Sequence, residues 1–248
     1  MIPKIIHQIW LQGYNQIPKQ LLIYHKNCHI VNDGFKHILW DEPKIKLLLE
    51  NNFGKKYIET FNKYECLAQK ADFARYAILY TYGGIYLDMD MICRKNLEPF
   101  LKHNFFFTKF SVPLFISKRY NNAVFGSIPK HPIYPIAFQK MFERLSKKSN
   151  ITYSTGTKLF YDAITTYQKK TGMNDAVLID QKYLHPCDIY DDDTCPYTCT
   201  DCFVSHVGYG SWGGKLQKFT NKYLVKNIKV ILFIIVIIIF TILLFLKR

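Results

Sequence analysis

The chain reads as a single α/β domain with alternating strands and helices, followed by one C-terminal membrane-spanning helix. Three observations predict this. Short apolar strands alternate with amphipathic helical stretches from Lys4 to His206, the pattern of a mixed, mostly parallel sheet. A length of 248 residues suits one sizeable domain and little else. Val230–Leu246 is an unbroken run of Val, Ile, Leu and Phe interrupted by Thr241 alone, and at about 1.5 Å per residue it spans roughly 26 Å, the short end of a transmembrane helix. The expected organisation is a domain over 1–214, a basic linker over 215–229 and a membrane span over 230–246.

The elements follow in order. Lys4–Trp10 alternates and ends on an aromatic, as a first strand does. Lys36–Trp40 is a second strand, closed by Asp41-Glu42-Pro43. Ile45–Glu50 and Tyr57–Lys63 are short helices. Cys66–Tyr82 is the clearest helix, with Leu67, Ala71, Ala74 and Ile78 at spacings of four and three on one face. Gly83-Gly84 stops it, and Ile85–Asp88 is a short buried strand. Phe105–Thr108 and Ala123–Gly126 are further strands. Pro132–Leu145 and Lys158–Lys169 are helices, the first opened by a proline and the second stopped near Gly172. Ala176–Ile179 and Phe203–His206 are late strands.

Charge and cysteines bound the class. The net charge is +14, and half of it lies from Lys215 onward, where seven Lys and Arg and no Asp or Glu flank the apolar run. That placement fits attraction to anionic lipid headgroups. No zinc-finger, RNA-binding or helix-turn-helix pattern favours a nucleic-acid partner. Met1-Ile2-Pro3-Lys4 leads straight into a strand, and Lys222, Lys226 and Lys229 precede the span; both features point to a tail-anchored domain facing the cytosol. Asn150-Ile151-Thr152 is a glycosylation triplet of a kind common by chance. Cys28, Cys66 and Cys93 are scattered and read as buried thiols. Cys187, Cys195, Cys199 and Cys202 cluster and could be free, disulfide-bonded or zinc-bound.

The chemistry centres on Asp88 and Asp90, which flank Met89 at the end of the Ile85–Leu87 strand. An extended segment points alternate side chains the same way, so both carboxylates can face one divalent cation. Hard oxygen ligands suit Mn²⁺ or Mg²⁺. Asp72 and Arg75 lie three residues apart on one helix face, a spacing that on residue types alone fits a surface ion pair. His7 reads as a core histidine and Lys70 as a solvated side chain. Asp191, Asp192 and Asp193 read as a solvated turn.

Lys70–Asp90, with its helix, Gly-Gly and Asp-x-Asp in sequence, resembles the sugar-binding region of family 32 glycosyltransferases. These include mannosyltransferases of glycolipids and N-glycans, and the segment is more distantly similar to the catalytic domain of clostridial glucosylating toxins. The resemblance begins at Ile2–Trp10 and extends to His206 and Trp212. It implies the GT-A version of the nucleotide-binding α/β fold, and a retaining, metal-dependent transferase using a nucleotide sugar. GDP-mannose is the favoured donor and a UDP-hexose the other, with a lipid or glycan acceptor such as inositol phosphoceramide. It implies an endomembrane setting, whose lumenal relatives pull against the cytosolic orientation. It assigns the donor's ribose and sugar hydroxyls to Asp72 and Arg75, the base to Trp10, and the cation to Asp88, Asp90 and His206. Ser211 and Trp212 would lie near the diphosphate, and Asn122 near the sugar. Asp88, Asp90, Asn122 and Trp212 are thus the catalytic candidates. Ser154-Thr155-Gly156-Thr157 matches the family's Thr-Gly turn, but Thr157 stands where relatives often have Pro. The alternatives are a UDP-hexose-dependent transferase acting on protein or polysaccharide, and a sugar-nucleotide-binding membrane protein without turnover.

Overall fold

The computed structural model describes residues 1–109, 119–172, 175–187 and 194–209, with Ile234 and 237–239. A six-stranded sheet in the order β2-β1-β3-β6-β5-β7 carries the domain. Its strands are β1 (Ile5–Ile9), β2 (Lys36–Trp40), β3 (Gly84–Leu87), β5 (Phe105–Lys109), β6 (Tyr120–Ser127) and β7 (Ala176–Ile179). β1 pairs in parallel with β2 and β3, and β5 with β7, while β6 runs antiparallel to both β3 and β5. The sheet is therefore mixed, as expected, and the antiparallel β6 delivers its N-terminal residues to the edge where β3 ends.

Helices cover both faces. They are α1 (Lys19–Val31), α2 (Glu42–Asn52), α3 (Lys55–Lys63), α4 (Leu67–Tyr82), α5 (Ile133–Glu143), α6 (Ile151–Ser154), α7 (Thr157–Thr171), α8 (Gln181–Leu184) and α9 (Cys195–Thr198). Along β3 the side chains divide as a pleat requires. Tyr86 joins the core with Phe73, Ile78, Phe125, Phe138 and Phe160, while Ile85 and Leu87 join Ile6, Met91, Phe106 and Val204 on the other face.

α4 is buried along most of its length, Asp72 and Arg75 included. The glycine pair that ends it is required sterically. Gly83 has φ +63° and Gly84 φ +97°, both in the region that L side chains rarely adopt. A Cβ at Gly83 would lie 2.7 Å from the Pro129 ring, and one at Gly84 2.7 Å from the Ile5 carbonyl. The chain thus turns from α4 into β3 with no room for a side chain, which sets where β3 and its carboxylates emerge.

α1 and the strand Met91–Cys93 were not anticipated, whereas the expected strand Phe203–His206 forms, as Val204–His206, in a small ribbon apart from the main sheet. The ribbon pairs β4 (Met91–Cys93) with β8 (Val204–His206) antiparallel, placing Met91 opposite His206. It is tied to α1 by a disulfide, Cys28–Cys93, which corrects the reading of these two cysteines as thiols. Asn27 reinforces the tie by accepting the Cys93 N–H at 2.9 Å. Cys187 bonds Cys195 and Cys199 bonds Cys202, so the cysteine cluster holds two disulfides and no zinc; Cys66 is a free thiol.

Asp191, Asp192 and Asp193 lie outside the described residues, as does most of 230–246. Among the described residues no helix is long and apolar enough to cross a membrane. Ile234, Ile237, Ile238 and Ile239 are helical and about half exposed.

Candidate active site

At the C-terminal ends of β1 and β3 the sheet opens into a cavity of about 600 Å³, in the size range of small-molecule sites. Trp10, Asp72, Arg75, Asp88, Asp90, Asn122 and His206 all line it. Seven of the nine residues singled out from sequence therefore converge on one space. The other two, Ser211 and Trp212, lie outside the described residues.

Three elements build the candidate cation site. β3 ends at Leu87, and the Asp88 N–H donates to the Ala123 carbonyl of β6 at 2.8 Å, holding the acidic loop at the sheet's edge. The ribbon brings His206 in from the far end of the chain, and the Val207 N–H donates to the Asp90 carbonyl at 3.0 Å. One ligand atom from each of Asp88, Asp90 and His206 then falls within 4.8 Å of the others, the one such group among the described residues. Two carboxylates and an imidazole suit a divalent cation of the Mn²⁺ class, so these residues fit the group that the fold implies.

Asp90 receives the His206 Nε2–H at 3.1 Å and the Tyr209 N–H at 2.8 Å. Burial pushes its pKa up, but the His206 charge and these hydrogen bonds outweigh burial and hold it below the usual carboxylate range. Burial lowers His206 in turn, yet the facing Asp90 raises it to about 9. Asp88 is raised, by burial and by Asp90, against the pull of Arg75. The Tyr86 hydroxyl donates to Asp88 Oδ1 at 2.6 Å.

Arg75 joins this site to a second one. Its Nη2 lies 3.2 Å from Asp72 Oδ1 and 3.3 Å from Asp88 Oδ1, its Nη1 donates to the Asn122 carbonyl, and its guanidinium stacks 4.4 Å from the Tyr86 ring centroid. Asp72 and Arg75 are each only 5% exposed, so the pair is not the surface ion pair that residue types alone suggested. Asp72 Oδ1 also accepts from Asn122 Nδ2, and Oδ2 from Thr155 Oγ1, both at 2.8 Å. Burial raises Asp72 to about 6 despite Arg75 and these donors. Three carboxylates face Arg75 and the protonated His206; a divalent cation that takes the place of the His206 proton would bring the balance to neutral.

Three supporting residues escaped the sequence reading. Tyr86 had a signal, its place two residues before Asp88 on the same strand face. Thr155 stood in the Thr-Gly turn already singled out but was given no role, and Tyr209 lies in a loop that meets the site only in the fold. His7 is a core residue as expected, fully buried, lowered to about 4 by burial, and bonded to the Gly83 carbonyl and the Trp40 indole N–H. Lys70 pairs with Glu42 at 3.1 Å and stays out of the cavity.

Comparison with known proteins agrees with this geometry. Residues 18–107 match the family described as the glycosyltransferase sugar-binding region containing a DXD motif. A protein of Acanthamoeba polyphaga mimivirus named uncharacterized glycosyltransferase L373 is 54% identical, over 91% of each chain. This chain belongs to that glycosyltransferase family. The Saccharomyces cerevisiae mannosyl phosphorylinositol ceramide synthase CSH1 is 32% identical over 76% of this chain but 48% of its own. The Schizosaccharomyces pombe inositol phosphoceramide mannosyltransferase 1 is 35% identical over 53% of this chain and 40% of its own. The glycosyltransferase thus spans less than half of the length of these two yeast relatives. The PaToxG glycosyltransferase superposes with a TM-score of 0.53 at 20% identity, covering 70% of this chain and 72% of that one, which supports the GT-A-like α/β fold.

Proposed function

We propose that this glycosyltransferase is a divalent-metal-dependent, retaining enzyme that moves a hexose from a nucleotide diphosphate sugar to a membrane glycolipid. Mannose from GDP-mannose is the favoured donor group, and an inositol phosphoceramide the favoured acceptor. The observation that carries the reading is the continuous polar wall from Asp72 through Arg75 to Asp88, Asp90 and His206 on one side of an apolar cavity. One end presents a carboxylate and an amide suited to sugar hydroxyls; the other presents ligands for a cation.

Asp88, Asp90 and His206 would hold Mn²⁺ or Mg²⁺. When bound, the cation supplies positive charge for the departing diphosphate, where leaving-group charge accumulates. The chain's own residues do the rest. Arg75 is buried and strongly held in its charged form by Asp88 and Asp72, so it adds a fixed positive charge between the cation site and the sugar site. Asp72, with Asn122 and Thr155 locking its orientation, accepts from hydroxyls of the hexose. Ile9, Leu11, Leu21 and Ala71 line the cavity and limit water around the reacting bond. Trp10, which follows β1 and lines the cavity, is the candidate on which the donor's base stacks.

The acceptor and donor sugar rest on the yeast relatives, whose names specify inositol phosphoceramide and mannose. Membrane anchorage rests on the apolar run 230–246 and its basic flank. The disulfides favour an oxidising surround for the domain and weigh against the cytosol-facing orientation expected from the N-terminal residues. The test is hydrolysis and transfer with GDP-mannose and UDP-hexoses, with Mn²⁺, Mg²⁺ or chelator. Mn²⁺-dependent turnover of GDP-mannose supports the reading in full. Turnover of UDP-hexoses alone moves the donor, and binding without turnover of any donor sinks the transferase mechanism.

A further inference from the structure

The outer side of α1 carries an order that packing does not require. Leu21, Tyr24, His25 and Cys28 are its buried residues. Lys19, Ile23, Lys26 and Ile30 follow one another at spacings of four, three and four, which is one line along a helix. At about 3.6 residues per turn that line lies roughly 180° from the buried one. Ile23 is 64% exposed and Ile30 78%, and both lysines are exposed. Single exposed isoleucines are ordinary. Two on the line farthest from the core, alternating with lysines on a helix that has no acidic residue, form a patterned surface. Two half-exposed tyrosines flank it. The Tyr14 ring stands 6.4 Å from the His25 ring, and the Tyr197 hydroxyl lies 2.9 Å from that of Tyr24.

This chemistry matches the boundary of a bilayer. Isoleucine enters the acyl region there, tyrosine sits among the headgroups, and lysine meets lipid phosphate. A protein partner fits less well: one row of four side chains falls short of a stable interface, and lysine is depleted from the centre of such interfaces. The tether favours lipid too. Tyr209, the last described residue of the domain, lines the cavity together with Leu21 of α1. Residues 210–229 then lead to the apolar run 230–246, and they include Lys215, Lys218, Lys222, Lys226 and Lys229 and no acidic residue. The proposed anchor therefore leaves the domain at the cavity that α1 helps to wall.

We propose that the outer face of α1, with Lys19, Ile23, Lys26 and Ile30, is the surface on which the domain rests on an anionic bilayer. This rests on the membrane-anchored, glycolipid-directed reading above and adds its geometry. Leu21 on the inner face of the same helix lines the cavity. The cavity thus begins one helix diameter, about 10–12 Å, from the lipid, within reach of a projecting headgroup and not of the acyl chains. Two isoleucines carry fewer methylenes than one myristoyl chain, which alone binds membranes only marginally. The face orients a tethered domain and does not hold a free one.

The experiment binds the full chain to liposomes of phosphatidylcholine and phosphatidylserine brominated in the acyl chains, and reads tryptophan quenching in excess of wild type. It compares Ile23→Trp, Ile30→Trp and a control, Leu47→Trp, at a residue 57% exposed on α2, whose buried side chains pack on the other face of the sheet from Cys28. The inference expects quenching at positions 23 and 30 to exceed that at 47 by about twofold or more. Liposomes of phosphatidylcholine alone should remove that excess, as should Lys19→Glu/Lys26→Glu. Quenching at 23 and 30 no greater than at 47, in a chain that floats with the liposomes, overturns the inference and leaves the anchorage standing. So does an excess that survives both the charge reversal and the removal of phosphatidylserine. An added tryptophan at 23 or 30 whose emission is already blue-shifted without lipid means that another segment or a second copy covers the face, and overturns it as well. A full chain that does not float overturns the anchorage and this inference together.

Discussion

Asp72, Asp88 and Asp90 are three carboxylates within one cavity, and their surroundings hold their protons differently. Asp90 is kept ionised by His206 and the Tyr209 N–H, whereas burial raises both Asp88 and Asp72. Asp88→Asn and Asp90→Asn should each cut donor hydrolysis at least a hundredfold, read as initial rates at saturating Mn²⁺, because an amide is a poor ligand for a hard cation. His206→Ala should weaken Mn²⁺ binding at least tenfold, read by titration, with a smaller effect on nucleotide binding in excess metal. Asp72 sets a pH dependence. Its folded pKa of about 6 lies above the usual aspartate value, so the folded protein holds this proton more tightly than the unfolded chain. Its contribution to stability is therefore largest at low pH and diminishes as the pH rises through about 4 to 6. Donor binding runs the other way, since a neutral Asp72 accepts hydroxyls less well. The KM for the sugar nucleotide should rise as the pH falls through about 6, and in Asp72→Asn that inflection should disappear. Asp88 and Asp90 were legible in the sequence because a strand places alternate side chains on one face. The depth of Asp72 was not, because an i,i+3 pair looks the same in sequence whether the helix face meets solvent or the floor of a cavity.

At the scale of elements, the candidate cation site depends on a ribbon of which the sequence showed one strand, Phe203–His206, but not its partner β4 or their pairing. β4 and β8 have three residues each and carry Asp90's neighbour and His206. The main sheet and the long helices could be read from periodicity and glycine punctuation. α1 could not, although Leu21, Tyr24 and Cys28 form a buried stripe. Ile23 and Ile30 on its exposed face blur the amphipathic pattern, Pro18 provides no side-chain cap, and its His and Asn residues favour a helix weakly. With α1 unread, Cys28 had no visible reason to face Cys93. That disulfide spans 65 residues of sequence, and by chain entropy such a closure stabilises by about 4 kcal/mol. It also ties the ribbon to the body of the domain. Replacing Cys28 and Cys93 together with Ser should lower the unfolding free energy by about 2–5 kcal/mol, and it should weaken Mn²⁺ binding as the ribbon loosens. A control pair at Cys199 and Cys202, which closes a loop of only three residues, should cost less than half as much, about 1.6 kcal/mol, and leave Mn²⁺ binding unchanged.

Over the whole molecule, the mixed sheet and the β4–β8 ribbon together gather residues from near both ends of the domain, Trp10 and His206, into a single cavity. The fold class was legible because strand and helix alternate along the chain; the antiparallel run of β6 was not, since nothing local fixes a strand's direction. The proposed membrane attachment is tested by flotation. Full-length chain should float with anionic liposomes, and a chain ending at residue 214 should remain at the bottom of the gradient with its GDP-mannose hydrolysis intact. Flotation of the shortened chain would place the lipid-binding surface on the domain itself.

The most direct measurement is Mn²⁺ titration by electron paramagnetic resonance alongside donor hydrolysis, on wild type and on the Asp88→Asn/Asp90→Asn double variant. The account predicts one tightly held Mn²⁺ in wild type, hydrolysis abolished by chelation and restored by Mn²⁺, and neither property in the variant. Undiminished turnover in the variant, or in wild type stripped of divalent ions, would contradict it.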